Sequence, residues 1–209
     1  MHSPILPTPP ATLRRICVYC GSGPGSDPAF VEGARTLGRL MAESQVGLVY
    51  GGGAIGLMGE IARAVSDHGG EVIGIIPTFL ATREHANPRG RLLITRDMHE
   101  RKQRMFDEAD AFVALPGGVG TLEELVEQVT WTQLGRHKKP ILLANINKFW
   151  DPLIALFRHM ETLEFVRPGL PVNYLQTERV EDIVPILAEA TRSLSPADKA
   201  MKTVRAEQL

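Results

Sequence analysis

Short runs of β-branched and aliphatic residues alternate along this chain with longer segments whose apolar positions recur every three to four residues. The runs predict strands over 15–20, 46–50, 71–76, 91–95, 111–115, 140–144 and 173–176. The helical periods predict helices over 28–43, 56–68, 98–109, 121–134, 149–162 and 179–193. Strands almost free of polar residues belong to a sheet covered on both faces, and their alternation with helices makes that sheet mainly parallel. The expected class is therefore α/β, with about seven strands in one sheet.

Local signals sharpen several boundaries. Ser26-Asp27-Pro28 offers cap candidates followed by a proline suited to a first helical turn, and Gly69-Gly70 closes the next helix with residues that tolerate positive φ. In the helix over 121–134, Leu122, Leu125, Val126 and Val129 follow i, i+3, i+4, i+7 and predict one buried stripe. The stretch 78–90 has no clear period and holds Arg83, Glu84, His85, Asn87, Pro88 and Arg89, so it reads as a functional loop. Residues 1–13 read as a proline-rich disordered lead with no signal-peptide or anchor pattern, 14–193 as a single domain, and 194–209 as a polar tail.

Charge changes the picture only by exclusion. The chain has 23 basic and 24 acidic residues, so it has no global field for nucleic acid or an anionic membrane, and any anion binding must be local. Cys17 and Cys20 form a C-x-x-C without a second ligand pair. Three residues apart on a strand they face opposite sides, which suits reduced core thiols in a cytoplasmic protein. The histidines form no metal-ligand set, and neither a metal nor a cofactor is expected.

Three glycine-bearing turns each follow a predicted strand and lead into a helix: Gly21-Ser22-Gly23-Pro24-Gly25, Gly51-Gly52-Gly53-Ala54-Ile55-Gly56 and Pro116-Gly117-Gly118-Val119-Gly120-Thr121. In an open parallel sheet such turns gather at the carboxyl edge, where bare backbone N–H groups can approach a phosphate, and Ser22 and Thr121 add hydroxyl donors. The second turn also fits G-x-G-x-x-G, the mark of a dinucleotide-binding dehydrogenase. That reading needs an acidic residue at the end of the next strand, where this chain has Ile75-Ile76-Pro77 and places Glu71 at the start instead.

The sharpest signal joins Asp97-Met98-His99-Glu100-Arg101-Lys102 to Pro116-Gly117-Gly118-Val119-Gly120-Thr121-Leu122-Glu123-Glu124. With Gly51 to Gly59 and Thr130 to Gly135, these segments resemble the Lonely guy (LOG) family of cytokinin-activating phosphoribohydrolases, over roughly residues 15 to 190. The resemblance implies a Rossmann-like, doubly wound fold and a homodimer. It also implies hydrolysis of the N-glycosidic bond of N6-modified adenosine 5′-monophosphates or AMP, giving free base and ribose 5-phosphate. The family's catalytic pair falls on Arg101 and Glu124. Its substrate-binding positions fall on Ser22, Gly51, Gly52, Gly53, Glu84, Met98, Lys102, Gly117, Gly118, Val119, Gly120, Thr121, Glu123 and Thr130.

Each role has a structural competitor. Thr121-Leu122-Glu123-Glu124 is also a capping box, in which Glu124 would only bond the first N–H groups of its helix. Arg101 could be one solvated cation among Arg96, Lys102 and Arg104. His99 is left outside the site, because neighbouring helix positions do not share a face. A non-catalytic nucleotide or phosphorylated-cofactor carrier of the same fold is the alternative function. A pyridoxal decarboxylase fits less well, for want of a lysine in a Schiff-base setting.

Overall fold

The computed structural model describes residues 13–81 and 89–194. Glu84, most of the proline-rich lead and most of the polar tail lie outside the described residues. Seven strands, β1 (Arg15–Tyr19), β2 (Gly47–Tyr50), β3 (Val72–Pro77), β4 (Arg91–Thr95), β5 (Ala111–Ala114), β6 (Ile141–Ala144) and β7 (Leu175–Thr177), form one sheet. Among the described residues six α-helices connect them, α1 (Pro28–Glu43), α2 (Gly56–Asp67), α3 (Thr78–Ala81), α4 (Met98–Glu108), α5 (Val119–Gln133) and α6 (Asp151–Thr162), and α7 (Ile183–Arg192) follows β7.

The strand order is β4-β3-β2-β1-β5-β6-β7, and every pairing is parallel. The order reverses between β1 and β5, whose register sets Val18 beside Val113 and Tyr19 beside Ala114. Such a reversal opens a crevice at the carboxyl ends of the two strands, because the following connections leave on opposite sides. Two of the three glycine turns begin there.

Period-two alternation fills two cores at once. Ile16, Val18 and Cys20 join α1, α2 and α7 on one face, while Cys17 and Tyr19 join α4, α5 and α6 on the other. The two thiols are thus buried on opposite sides of the sheet, as their spacing requires.

The helix boundaries follow the cap chemistry. Asp27 accepts from the Ala29 amide at 2.9 Å with Pro28 in the first turn of α1, and Gly69 takes φ +77° just beyond α2. Five expectations change. The short edge strand β7, Leu-Gln-Thr, begins at Leu175, and α7 is preceded by a 3-10 turn at Val180–Asp182. A 3-10 turn at Ile146–Lys148 likewise precedes α6, which starts at Asp151. Thr78–Ala81, expected as loop, forms one helical turn.

The fifth change concerns α5. It starts at Val119 with Gly118 as its cap, two residues earlier than expected. Its buried face is Thr121, Glu124, Leu125, Gln128 and Val129, whereas Leu122 and Val126 are exposed. The expected apolar stripe is therefore split, and polar side chains take the inward positions it left.

Candidate active site

The start of α4 fixes where its cations point. Asp97 caps it by accepting from the Glu100 amide at 2.8 Å, and Glu100 reaches back to the Arg96 amide at 3.0 Å. Arg101 then falls on the inward face with Met105 and Phe106. It is buried, not one more solvated cation. Its Nε donates to the Ile75 carbonyl at 3.2 Å, near the end of β3, and its Nη1 lies 2.9 Å from Glu124 Oε1.

The early start of α5 decides the reading of Glu124. With Gly118 as the cap, Thr121 is the third helical residue and Glu124 the sixth, beyond reach of the capping-box geometry. Glu124 is buried and faces the guanidinium.

One cavity of about 220 Å³ contains the pair and is lined further by Ser22, Gly51, Met58 and the Gly118–Thr121 turn. The Leu122 amide bonds the Gly118 carbonyl at 3.0 Å, so the N–H groups of Val119, Gly120 and Thr121 are those without a carbonyl partner in the helical ladder. Space in front of Gly118 and Gly120 is open, since a Cβ on either would meet nothing within 4 Å. An adjoining cavity of about 260 Å³ shares Ser22 and Gly118 and takes in Gly117.

Other predicted positions are placed differently. Met98 sits beside Arg101, its Sδ 4.0 Å from Nη1. Lys102 bonds Glu123 at 2.6 Å and Glu127 at 2.9 Å, tying α4 to α5 beside the cavity. Burial alone would lower the Lys102 pKa, but these two carboxylates outweigh it and raise it. Thr130 is exposed and turns its hydroxyl to the Val126 carbonyl. Gly52 and Gly53 do not line the cavity. The amide of Leu57, in the first turn of α2, donates to the Gly21 carbonyl at 3.0 Å, so the second glycine turn packs on the first. His99 is exposed.

Sequence reasoning missed the walls. Tyr19, Cys20 and Met58 also line the cavity, and only the end of β1 as a buried strand pointed to the first two. Burial raises the pKa of the Cys17 and Cys20 thiols and of the Tyr19 phenol, and the Glu124 charge adds to each. Glu71, too early in sequence for a ribose ligand, bonds Arg15 at 2.8 Å beside the start of β1. That is the opposite edge of the sheet from the crevice. Among the described residues no group of three or more His, Cys, Asp or Glu side chains could hold a metal ion.

The model of the family described as possible lysine decarboxylase matches residues 58–187. A cytokinin riboside 5′-monophosphate phosphoribohydrolase, LOG, of Oryza sativa subsp. japonica is 52% identical over 144 residues, which is 68% of this chain and 60% of the rice protein. Its Arabidopsis thaliana counterpart LOG7 is 45% identical over 178 residues, or 85% of this chain and 82% of the relative. The chain belongs to the LOG family. Solved structures with the same fold as this LOG-family chain include the molybdenum cofactor binding protein of Rippkaea orientalis. It has a TM-score of 0.63 at 20% identity, over 85% of this chain and 96% of that one. The Moco carrier protein of Chlamydomonas reinhardtii has a TM-score of 0.64 at 17% identity, over 87% and 99%. These two likenesses speak to architecture alone.

Proposed function

We propose that this protein hydrolyses the N-glycosidic bond of nucleoside 5′-monophosphates, AMP and its N6-modified cytokinin relatives, to free base and ribose 5-phosphate. The observation that carries this reading is the buried Arg101–Glu124 pair in one cavity with the amino end of α5. LOG-family membership and relatives named for that activity support it.

The phosphate sits against the N–H groups of Val119, Gly120 and Thr121, where helix-end partial charge favours an anion, and Ser22 adds a hydroxyl donor. That anchor fixes the ribose and spares orientational entropy. As the bond to the base breaks, C1′ takes on oxocarbenium character, which the Glu124 carboxylate stabilises while orienting the attacking water. Water adds its oxygen to C1′, and its proton balances the departing base. Arg101, permanently charged, hydrogen-bonds the base as negative charge develops on it.

Lys102 and Glu123 hold α4 against α5, and Met98 packs the guanidinium. The family resemblance assigns Glu84 to the base of the substrate and Thr130 to substrate binding. Among the described residues no lysine lines the cavity, and those that do line it do not fit pyridoxal chemistry, whatever the family's description suggests. A carrier function rests on fold likeness only and leaves the buried acid–arginine pair without a task.

We also infer a homodimer. Val119, Leu122 and Val126 expose apolar side chains along α5 at the cavity mouth, a surface suited to a second copy. Among the described residues no helix is long and apolar enough to cross a membrane, and the free thiols fit a cytoplasmic setting. Incubation with AMP and with isopentenyladenosine monophosphate, followed by chromatography, tests the activity. Equimolar base and ribose 5-phosphate are expected from at least one; intact nucleotide in both would reject it.

A further inference from the structure

The sequence groups Gly51 with Gly52 and Gly53 as an anion-binding turn. The geometry points elsewhere: we propose that Gly51 is a positioning residue whose missing side chain leaves the seat of the Arg101 guanidinium.

Gly51 follows β2 directly and is buried. A Cβ there would overlap Arg101 Nη2 and lie 3.0 Å from Met58 Sδ. The guanidinium is thus held on three sides by three elements. Nε meets the Ile75 carbonyl near the end of β3, Nη1 meets Glu124 on α5, and Nη2 fills the space beside Gly51. A planar fork with its nitrogens fixed in this way has one orientation toward the cavity. The first amides of α2, which follow this turn, face the Gly21 carbonyl and are not left for an anion: Leu57 N–H donates to it at 3.0 Å and Met58 N–H at 3.4 Å.

The obstacles to a larger residue are side-chain ends, not backbone. Gly51 is also not among the positive-φ glycines, unlike Gly52 at φ +79°. Alanine at 51 therefore fits the backbone and acts on Arg101, pushing Nη2 out by on the order of 1 Å to reach van der Waals distance. A shift of that size in a catalytic group costs roughly 100-fold in rate.

This inference rests on the reading of Arg101 as the group that meets the leaving base, and its test separates the two. Gly51→Ala, shown folded by its thermal transition, is expected to lose roughly 100-fold in kcat, with KM and inhibition by ribose 5-phosphate changed by less than about threefold. In an Arg101→Lys background, which lacks Nη2, the same substitution is expected to cost less than about twofold further. The Arg101 Nε–H resonance, assigned by its loss in Arg101→Lys, reports the seat without any turnover, and it is expected to shift in Gly51→Ala. An unmoved resonance overturns the proposal, as does weakened ribose 5-phosphate binding with kcat intact, which would return Gly51 to the anion cradle. A displaced resonance in a protein that hydrolyses no nucleotide upholds the seat and rejects the functional reading instead.

Discussion

Arg101 Nη1 and Glu124 Oε1 meet 2.9 Å apart between α4 and α5, with only 9% and 10% of their side chains exposed. A pair this buried is weak evidence for stability, because desolvating both ions offsets most of their attraction. Its place inside a cavity lined also by Gly51, Gly118 and Gly120 supports the proposed chemistry.

Glu124→Ala is expected to lower the unfolding free energy by about 3 kcal/mol or more, since it leaves a guanidinium buried without its carboxylate. The double variant Arg101→Met/Glu124→Leu is expected to recover most of that loss, because neither charge is then buried. Urea denaturation measures both, and a Glu124→Ala protein as stable as wild type would contradict the burial.

The glycines of the third turn separate binding from folding. Gly118→Ala and Gly120→Ala place a methyl in open space facing the anion site, and each is expected to raise KM roughly tenfold or more with a smaller change in kcat. Gly120→Ala lies within α5, so it is also expected to stabilise by about 0.5–1 kcal/mol. Gly117→Ala would collide with the Thr121 side chain and the Gly21 amide, and is expected to lower stability instead. Thermal melts beside steady-state kinetics give the comparison.

These contrasts mark where sequence reading succeeded and stopped. Strands such as Val72–Pro77 were legible because both sheet faces are covered, leaving uninterrupted apolar runs. The period of α5 misled because Leu122 and Val126 are apolar for an outer surface, while Thr121, Glu124 and Gln128 take the inner face. Periodicity reports that a face is apolar and not what covers it. The motif singled out Arg101 and Glu124, which the structure brings together in one cavity. The seat proposed at Gly51 was not legible there, because it lies in an absent side chain opposite a residue fifty positions away. Lys102 in the same motif, and Thr130 in the segment that follows it, do not line the cavity.

His137 packs against Phe106 and Phe112 with ring centroids 5.1 and 5.7 Å away, and burial, aided by Lys139, lowers its pKa to about 4. The unfolded chain binds that proton near 6.5. The associated stability is therefore complete above pH 6.5 and is lost as pH falls toward 4, by about 3 kcal/mol across the window. His137→Phe is expected to flatten the slope of unfolding free energy against pH there. An unchanged slope would show that His137 does not titrate this way.

The apolar surface of α5 predicts the effect of charge on assembly. Val126→Lys, at a position 37% exposed in the single chain, is expected to convert a dimer to monomers by sedimentation, with the far-ultraviolet spectrum unchanged. Unaltered sedimentation would remove this face from any interface.

The most direct measurement pairs turnover with binding in Glu124→Gln, which keeps the shape of the side chain and removes its charge. With isopentenyladenosine monophosphate or AMP at saturation, wild type is expected to release base and ribose 5-phosphate one for one. Glu124→Gln is expected to bind the same nucleotide within about fivefold by equilibrium dialysis and to release base at least ~1000-fold more slowly. Base release by Glu124→Gln at the wild-type rate would contradict the assignment of the carboxylate to the reacting sugar carbon.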